Sequence, residues 1–140
     1  MSRIFWDTNL FIYLFEGNSE FSERVSALRK KMLERGDQLV TSAFTLGELL
    51  VKPMEKGALE LCKAYEAALA SSAVLIPFDV EAAHHYARLR ADRSIRAPDA
   101  IQLACAAAAS VDLFITNDER LHGKRVEGIQ FVVSLRSAPL

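Results

Sequence analysis

Four acids stand out in this chain by where they fall: Asp7, Glu48, Asp99 and Asp118. Asp7 follows the apolar run Ile4-Phe5-Trp6, and Asp118 comes two residues after Leu113-Phe114-Ile115-Thr116. Glu48 sits among Leu46, Leu49 and Leu50, and Asp99 directly follows Pro98 where an alanine-rich stretch opens. Carboxylates gathered at short range raise one another's pKa and destabilise a fold unless a cation sits among them. Hard oxygen ligands select Mg²⁺ or Mn²⁺, ions that keep several waters and meet phosphate readily. The chemistry expected of such a centre is phosphodiester hydrolysis, in which the metal activates water and offsets charge on the phosphoryl oxygens. One carboxylate then orients or deprotonates the water. Asn9 and Thr116 can position ligands or a phosphate by hydrogen bonds.

Each acid taken singly has an ordinary explanation. An Asp at a strand end is a common turn former or helix cap. Asp99 next to Pro98 complements a helix dipole. Glu48 is harder to dismiss, because its apolar neighbours turn it inward. The four together carry more weight than any one of them.

To meet, these residues need elements that end at one edge. Apolar runs at Ile4–Trp6, Leu39–Thr41, Val74–Ile76, Leu113–Thr116 and Ile129–Val133 read as five short strands. Helical periodicity separates them. Leu10–Phe15 is a short helix, and Phe21, Val25, Leu28, Met32 and Leu33 share one helical face that Gly36 stops. Ser42 offers a cap for the helix carrying Glu48, which Pro53 and Gly57 interrupt; another helix covers Ala58–Leu69. A helix from about Val80 runs into the Arg88–Arg93 region, and Pro98 opens the small-residue helix Ala100–Ala109. Alternating strands and helices predict an α/β three-layer sandwich with a parallel sheet. In such sheets the ligand site lies beyond the carboxyl ends of the strands, where Asp7 and Asp118 fall.

The 140 residues fit one domain, 1–140, without an interdomain linker or repeat. Hydrophobic residues make up 51%, far above a disordered chain. Lys+Arg is 17 against Asp+Glu 18, so any nucleic-acid binding needs a local patch rather than bulk charge. Cys62 and Cys105 lie in apolar helical stretches and form neither a disulfide scaffold nor zinc spacing. No signal peptide precedes Ile4, and the longest apolar run is far below the roughly 20 residues of a membrane span. A cytoplasmic protein without a membrane segment is the expectation.

The motifs Asp7-Thr8-Asn9, Thr45-Leu46-Gly47-Glu48-Leu49, Pro98-Asp99-Ala100 and Thr116-Asn117-Asp118 occur in this order over Ile4 to about Val133. In order, spacing and chain size they resemble the PIN-domain family, and more closely its VapC-type toxins of toxin–antitoxin modules. The resemblance implies a PIN-like fold and a Mg²⁺- or Mn²⁺-dependent endoribonuclease. By motif, Asp7, Glu48, Asp99 and Asp118 would be its acidic, metal-holding site, with Asn9 and Thr116 in supporting positions. It also implies a homodimer, and an antitoxin whose tail covers or enters the site. Trp6 directly before Asp7 is unusual and requires that the ring fill the core.

Arg88, Arg90, Arg93 and Arg96 precede Asp99, and Arg120, Lys124 and Arg125 follow Asp118. They read either as solvated surface or as a phosphate-binding rim, with Arg96 and Arg93 the candidates for RNA contact. His84 and His85 are adjacent and cannot share a helical face well; they read as surface or half-buried residues rather than ligands, and His122 reads as a surface residue. Competing readings are an RNA-processing nuclease outside a toxin module and a non-catalytic RNA- or protein-binding scaffold. An aspartyl phosphatase wants a second Asp where Asn9 stands, and a phosphoacceptor domain wants an acid pair and a lysine that are missing.

Overall fold

The five apolar runs become strands because alternate residues of each serve opposite faces of one sheet. The computed structural model describes residues 1–139. Within them the strands are β1 (Arg3–Trp6), β2 (Gln38–Ser42), β3 (Val74–Ile76), β4 (Leu113–Thr116) and β5 (Phe131–Ser134). The helices are α1 (Thr8–Glu16), α2 (Ser22–Arg35), α3 (Ala43–Glu55), α4 (Leu59–Ser72), α5 (Val80–Leu89) and α6 (Ala97–Ala108). The strand order is β3-β2-β1-β4-β5, and every neighbouring pair is parallel. This is the expected α/β sandwich with helices on both faces of a parallel sheet.

β1 lies at the centre, with Phe5 in register with Val40 on one side and Phe114 on the other. Phe5 points to the face covered by α5 and α6, where its ring stacks on Phe114 at 5.1 Å between centroids. Ile4 and Trp6 point to the opposite face, among residues of α1, α2, α3 and α4. Trp6 is fully buried and packs against Phe11 at 5.2 Å, so the bulky ring before Asp7 does fill the core.

Local chemistry sets most helix ends. Ser42 caps α3 by accepting the Thr45 N–H at 3.2 Å, as expected. Gly36 ends α2 in the left-handed region. Pro53, by contrast, does not break α3; it is buried inside the helix, which runs on to Glu55. β5 begins two residues later than the apolar run, because Ile129 belongs to the preceding loop. That loop crosses α6 so closely that a Cβ on Gly128 would lie 2.8 Å from the Ala107 carbonyl oxygen. Residues 102–107 of α6 are all buried, which its run of small side chains permits. Among the described residues, no helix is long and apolar enough to cross a membrane.

Candidate functional site

The chain runs β1-β2-β3 to one side and then returns for β4-β5 on the other. The order therefore reverses between β1 and β4, and the crevice at such a switch point is where α/β sheets bind ligands. Asp7 leaves β1 at this edge and caps α1, its Oδ1 accepting the Thr8 N–H at 2.8 Å. Its backbone N–H reaches the Ile115 carbonyl at 3.0 Å, tying it to β4. α3 and α6 both start near the same edge and bring in Glu48 and Asp99.

The four acids share one electrostatic neighbourhood, but not equally. Asp7 is held above its ordinary pKa by burial, with Asp118 adding to the effect. Hydrogen bonds from Thr116, Thr8 and Gln102 oppose that shift. Burial raises Glu48, and so do the charges of Asp7 and Asp99. Burial likewise raises Asp99, helped by Asp7 and Asp118 and opposed by Arg120 and Arg96. Asp118 alone is lowered, because Arg120 grips it: Arg120 Nε donates to Oδ1 at 2.9 Å and a second guanidinium nitrogen donates to Oδ2 at 2.5 Å.

The supporting residues divide as well. Thr116 is buried, and its hydroxyl donates to Asp7 Oδ2 at 2.8 Å while accepting the Asp118 N–H at 3.0 Å. Asn9 Oδ1 accepts the Asn117 N–H at 3.3 Å, so it fixes the turn after β4. Arg96 is exposed at the start of α6, close enough to act on Asp99 and Asp118. Arg93 is exposed in the turn between α5 and α6, and among the described residues it bonds none of the acids.

Four residues with no role assigned from sequence, Thr8, Gln102, Thr45 and Thr41, complete the site. Thr8 donates its hydroxyl to Glu48 Oε1 at 2.5 Å. Gln102, 1% exposed, offers its Nε2 to Thr45 at 2.7 Å, Thr8 at 3.1 Å and Asp7 Oδ1 at 3.3 Å. Its carbonyl oxygen accepts from the Ser42 hydroxyl. Thr45 and Thr41 then pass the chain of hydroxyls to the Trp6 carbonyl. Every donor in this network leads toward the carboxylates or is consumed before reaching them. The signal for Gln102 was visible: it is the one polar residue in Ala100–Ala109, three positions after Asp99.

Among the described residues, no three His, Cys, Asp or Glu side chains form a ready-made metal cage. A Mg²⁺-like ion does not need one, because it binds through one or two carboxylates and keeps its waters for phosphate. The donor set fits that ion. Asp7, Glu48 and Asp99 press on one another's charge, and among the described residues no lysine or arginine hydrogen-bonds to any of them.

Residues 4–126 match the family model of the PIN domain. A search of the curated proteins gives no significant match. Among solved structures, the chain is similar to VapBC2 from Rickettsia felis bound to a promoter DNA fragment. There the TM-score is 0.75 at 16% identity, over 94% of this chain and 98% of that one. A toxin–antitoxin complex from Klebsiella pneumoniae matches with TM-score 0.66 and 25% identity, covering 90% and 94% of the two chains. DNA-bound VapBC from Salmonella typhimurium matches with TM-score 0.72 and 21% identity, covering 96% and 99%.

Proposed function

We propose that this chain, which belongs to the PIN-domain family, is a Mg²⁺- or Mn²⁺-dependent endoribonuclease and the cytoplasmic toxin of a toxin–antitoxin pair. One observation supports the reading: Asp7 ends β1 at the sheet's switch point, burial holds Asp7, Glu48 and Asp99 above the ordinary carboxylate pKa with the charge of Asp7 adding to the shift of the other two, and among the described residues no basic side chain hydrogen-bonds to any of the three.

In this reading Asp7, Glu48, Asp99 and Asp118 hold a divalent cation, which supplies Lewis acidity at phosphate and toward water. Thr116, Thr8 and Gln102 lock the Asp7 carboxylate in one orientation, so it needs no reorganisation during the reaction. Glu48 commits Oε1 to Thr8, and its raised pKa suits Oε2 to take a proton from attacking water. Asp99 is half-buried and among the described residues accepts no hydrogen bond, so both its oxygens are free for a ligand. Arg96 and Arg120, on the rim, meet the phosphate charge.

The VapBC and toxin–antitoxin neighbours support the toxin half of the reading. A cognate antitoxin and a second copy of the chain are its expected partners. Val51, Met54, Leu59 and Leu61 are exposed apolar side chains around the α3–α4 turn, a surface suited to such contacts.

The deciding experiment incubates purified, antitoxin-free protein with RNA. Cleavage with Mg²⁺ or Mn²⁺, stopped by EDTA and abolished by Asp99→Asn in a protein with unchanged circular dichroism, is the expected result. Full activity of Asp99→Asn, or cleavage that ignores EDTA, would sink the reading. Growth arrest on expression, relieved by a small neighbouring gene, tests the toxin role.

A further inference from the structure

Two concavities adjoin along α2, beside the acids rather than among them. One, of about 570 Å³, is lined by Arg24, Leu28, Lys31, Leu135 and Arg136. The other runs from Arg24 and Arg136 past Phe21 to Asn117 and Glu119. They share Arg24, Leu135 and Arg136, and so form one continuous groove. Its near end opens on the two residues that flank Asp118 in the chain.

The chain carries a net charge of -1, yet the far half of this groove is lined by three cations and no carboxylate. Arg24, Leu28 and Lys31 fall on one stripe of α2, with Leu28 buried and the two cations exposed. Along the axis the cations stand roughly 10 Å apart. Among the described residues none of Arg24, Lys31 and Arg136 is ion-paired, whereas Arg35, Lys63, Arg120 and Lys124 each hold an acid. Midway lies half-buried Phe21, its ring 5.1 Å from that of Tyr13, whose hydroxyl accepts from Asn117 Nδ2 at 2.9 Å. Glu20 and Glu119 line only the end near the acids.

We propose that this groove is the track along which single-stranded RNA leads into the acidic site, with phosphates on Arg24, Lys31 and Arg136 and a base against Phe21. The inference rests on the ribonuclease reading above and adds where the strand lies. Free guanidinium and ammonium groups bind phosphate without giving up an existing partner. An aromatic ring set among cations is what unpaired bases stack on. An acidic peptide would use the cations but gives Phe21 no flat partner.

The test uses the full chain carrying Asp99→Asn, which leaves RNA uncut, and a fluorescent single-stranded RNA of mixed sequence. Anisotropy titrations at several salt concentrations give the slope of log affinity against log salt. Replacing Arg24, Lys31 and Arg136 by glutamine makes that slope shallower by about 2, since each phosphate contact on a single strand contributes about 0.7. Phe21→Ala weakens binding about tenfold. Should the triple variant melt without cooperativity, Arg136→Gln alone, in the C-terminal turn, must still shift the slope by about 0.7.

An unchanged slope in folded variants, where the unsubstituted chain cleaves RNA, overturns the track and leaves the nuclease reading standing. A chain that neither binds nor cuts RNA overturns both. Variants that bind RNA as their parent does but escape inhibition by the antitoxin assign the groove to a protein partner and likewise overturn the track.

Discussion

Thr116 and Asp7 are joined across the switch point: the Thr116 hydroxyl, fully buried, donates to Asp7 Oδ2 at 2.8 Å. The Thr116 hydroxyl oxygen in turn accepts the Asp118 N–H at 3.0 Å, so one hydroxyl sets the positions of both strand-end acids. Thr116→Val keeps the shape and removes both bonds. Leaving buried polar groups unpaired costs about 1–3 kcal/mol, read as a lower urea midpoint. Loss of such an orienting partner lowers RNA cleavage about 10–100-fold. Thr116→Ser, which retains the hydroxyl, restores most of the cleavage; equal rates for the Val and Ser variants would remove the orienting role.

The pH dependence follows from Asp7. Burial holds its pKa above the ordinary 3.8, so the folded chain binds this proton more tightly than the unfolded one. The resulting destabilisation is absent below 3.8, builds as pH rises through the folded value, and is complete above it. Glu48 and Asp99 shift in the same direction. In EDTA, Asp7→Asn is therefore expected to melt higher than its parent at neutral pH, with the gap closing in acid. A gap that widens in acid would contradict the burial argument.

Gln102 is tested by two substitutions of similar size. Gln102→Leu leaves Thr45, Thr8, Ser42 and Asp7 each short of a partner, at a cost of about 1–3 kcal/mol for each group left buried and unpaired. Gln102→Glu instead adds a carboxylate beside Asp7, and its cost grows with pH. Denaturation of both variants at acidic and neutral pH separates the effects: the Leu penalty, already large in acid, grows only by the lost hydrogen bond to the Asp7 carboxylate, while the Glu penalty rises more steeply with pH.

Metal binding is expected to raise thermal stability, since Mn²⁺ at a hundredfold excess over its Kd stabilises by about 2.7 kcal/mol, a rise of several degrees. Arg120 competes for one of the acids, because its guanidinium already engages both oxygens of Asp118. Arg120→Ala should therefore bind Mn²⁺ severalfold more tightly by calorimetric titration. Weaker binding would mean that Asp118 is no ligand, or that Arg120 serves the site in another way.

Much of the scaffold could be read from local pattern. The five apolar runs, the Ser42 cap and the Pro98 helix start depend on a few neighbouring residues, and they sit where those residues dictate. Boundaries shifted where tertiary contact intervened. Ile129 left β5 for the loop that Gly128 lets pass close to α6, and Pro53 stayed helical inside the core. The identities of Asp7, Glu48, Asp99 and Asp118 as notable acids were also legible, because each is a charge set against an apolar run.

How those acids relate to one another was decided only by the folded chain. Strand order β3-β2-β1-β4-β5 puts the ends of β1 and β4 side by side, although more than a hundred residues separate them in the chain. No local pattern encodes that adjacency; it arises when both faces of the sheet bury their alternate side chains at once. The same assembly aims Gln102 at Asp7 and lines up Arg24 with Arg136. Residue types declare which chemistry a chain can carry. Packing sets the distances and directions, and electrostatics depends on both.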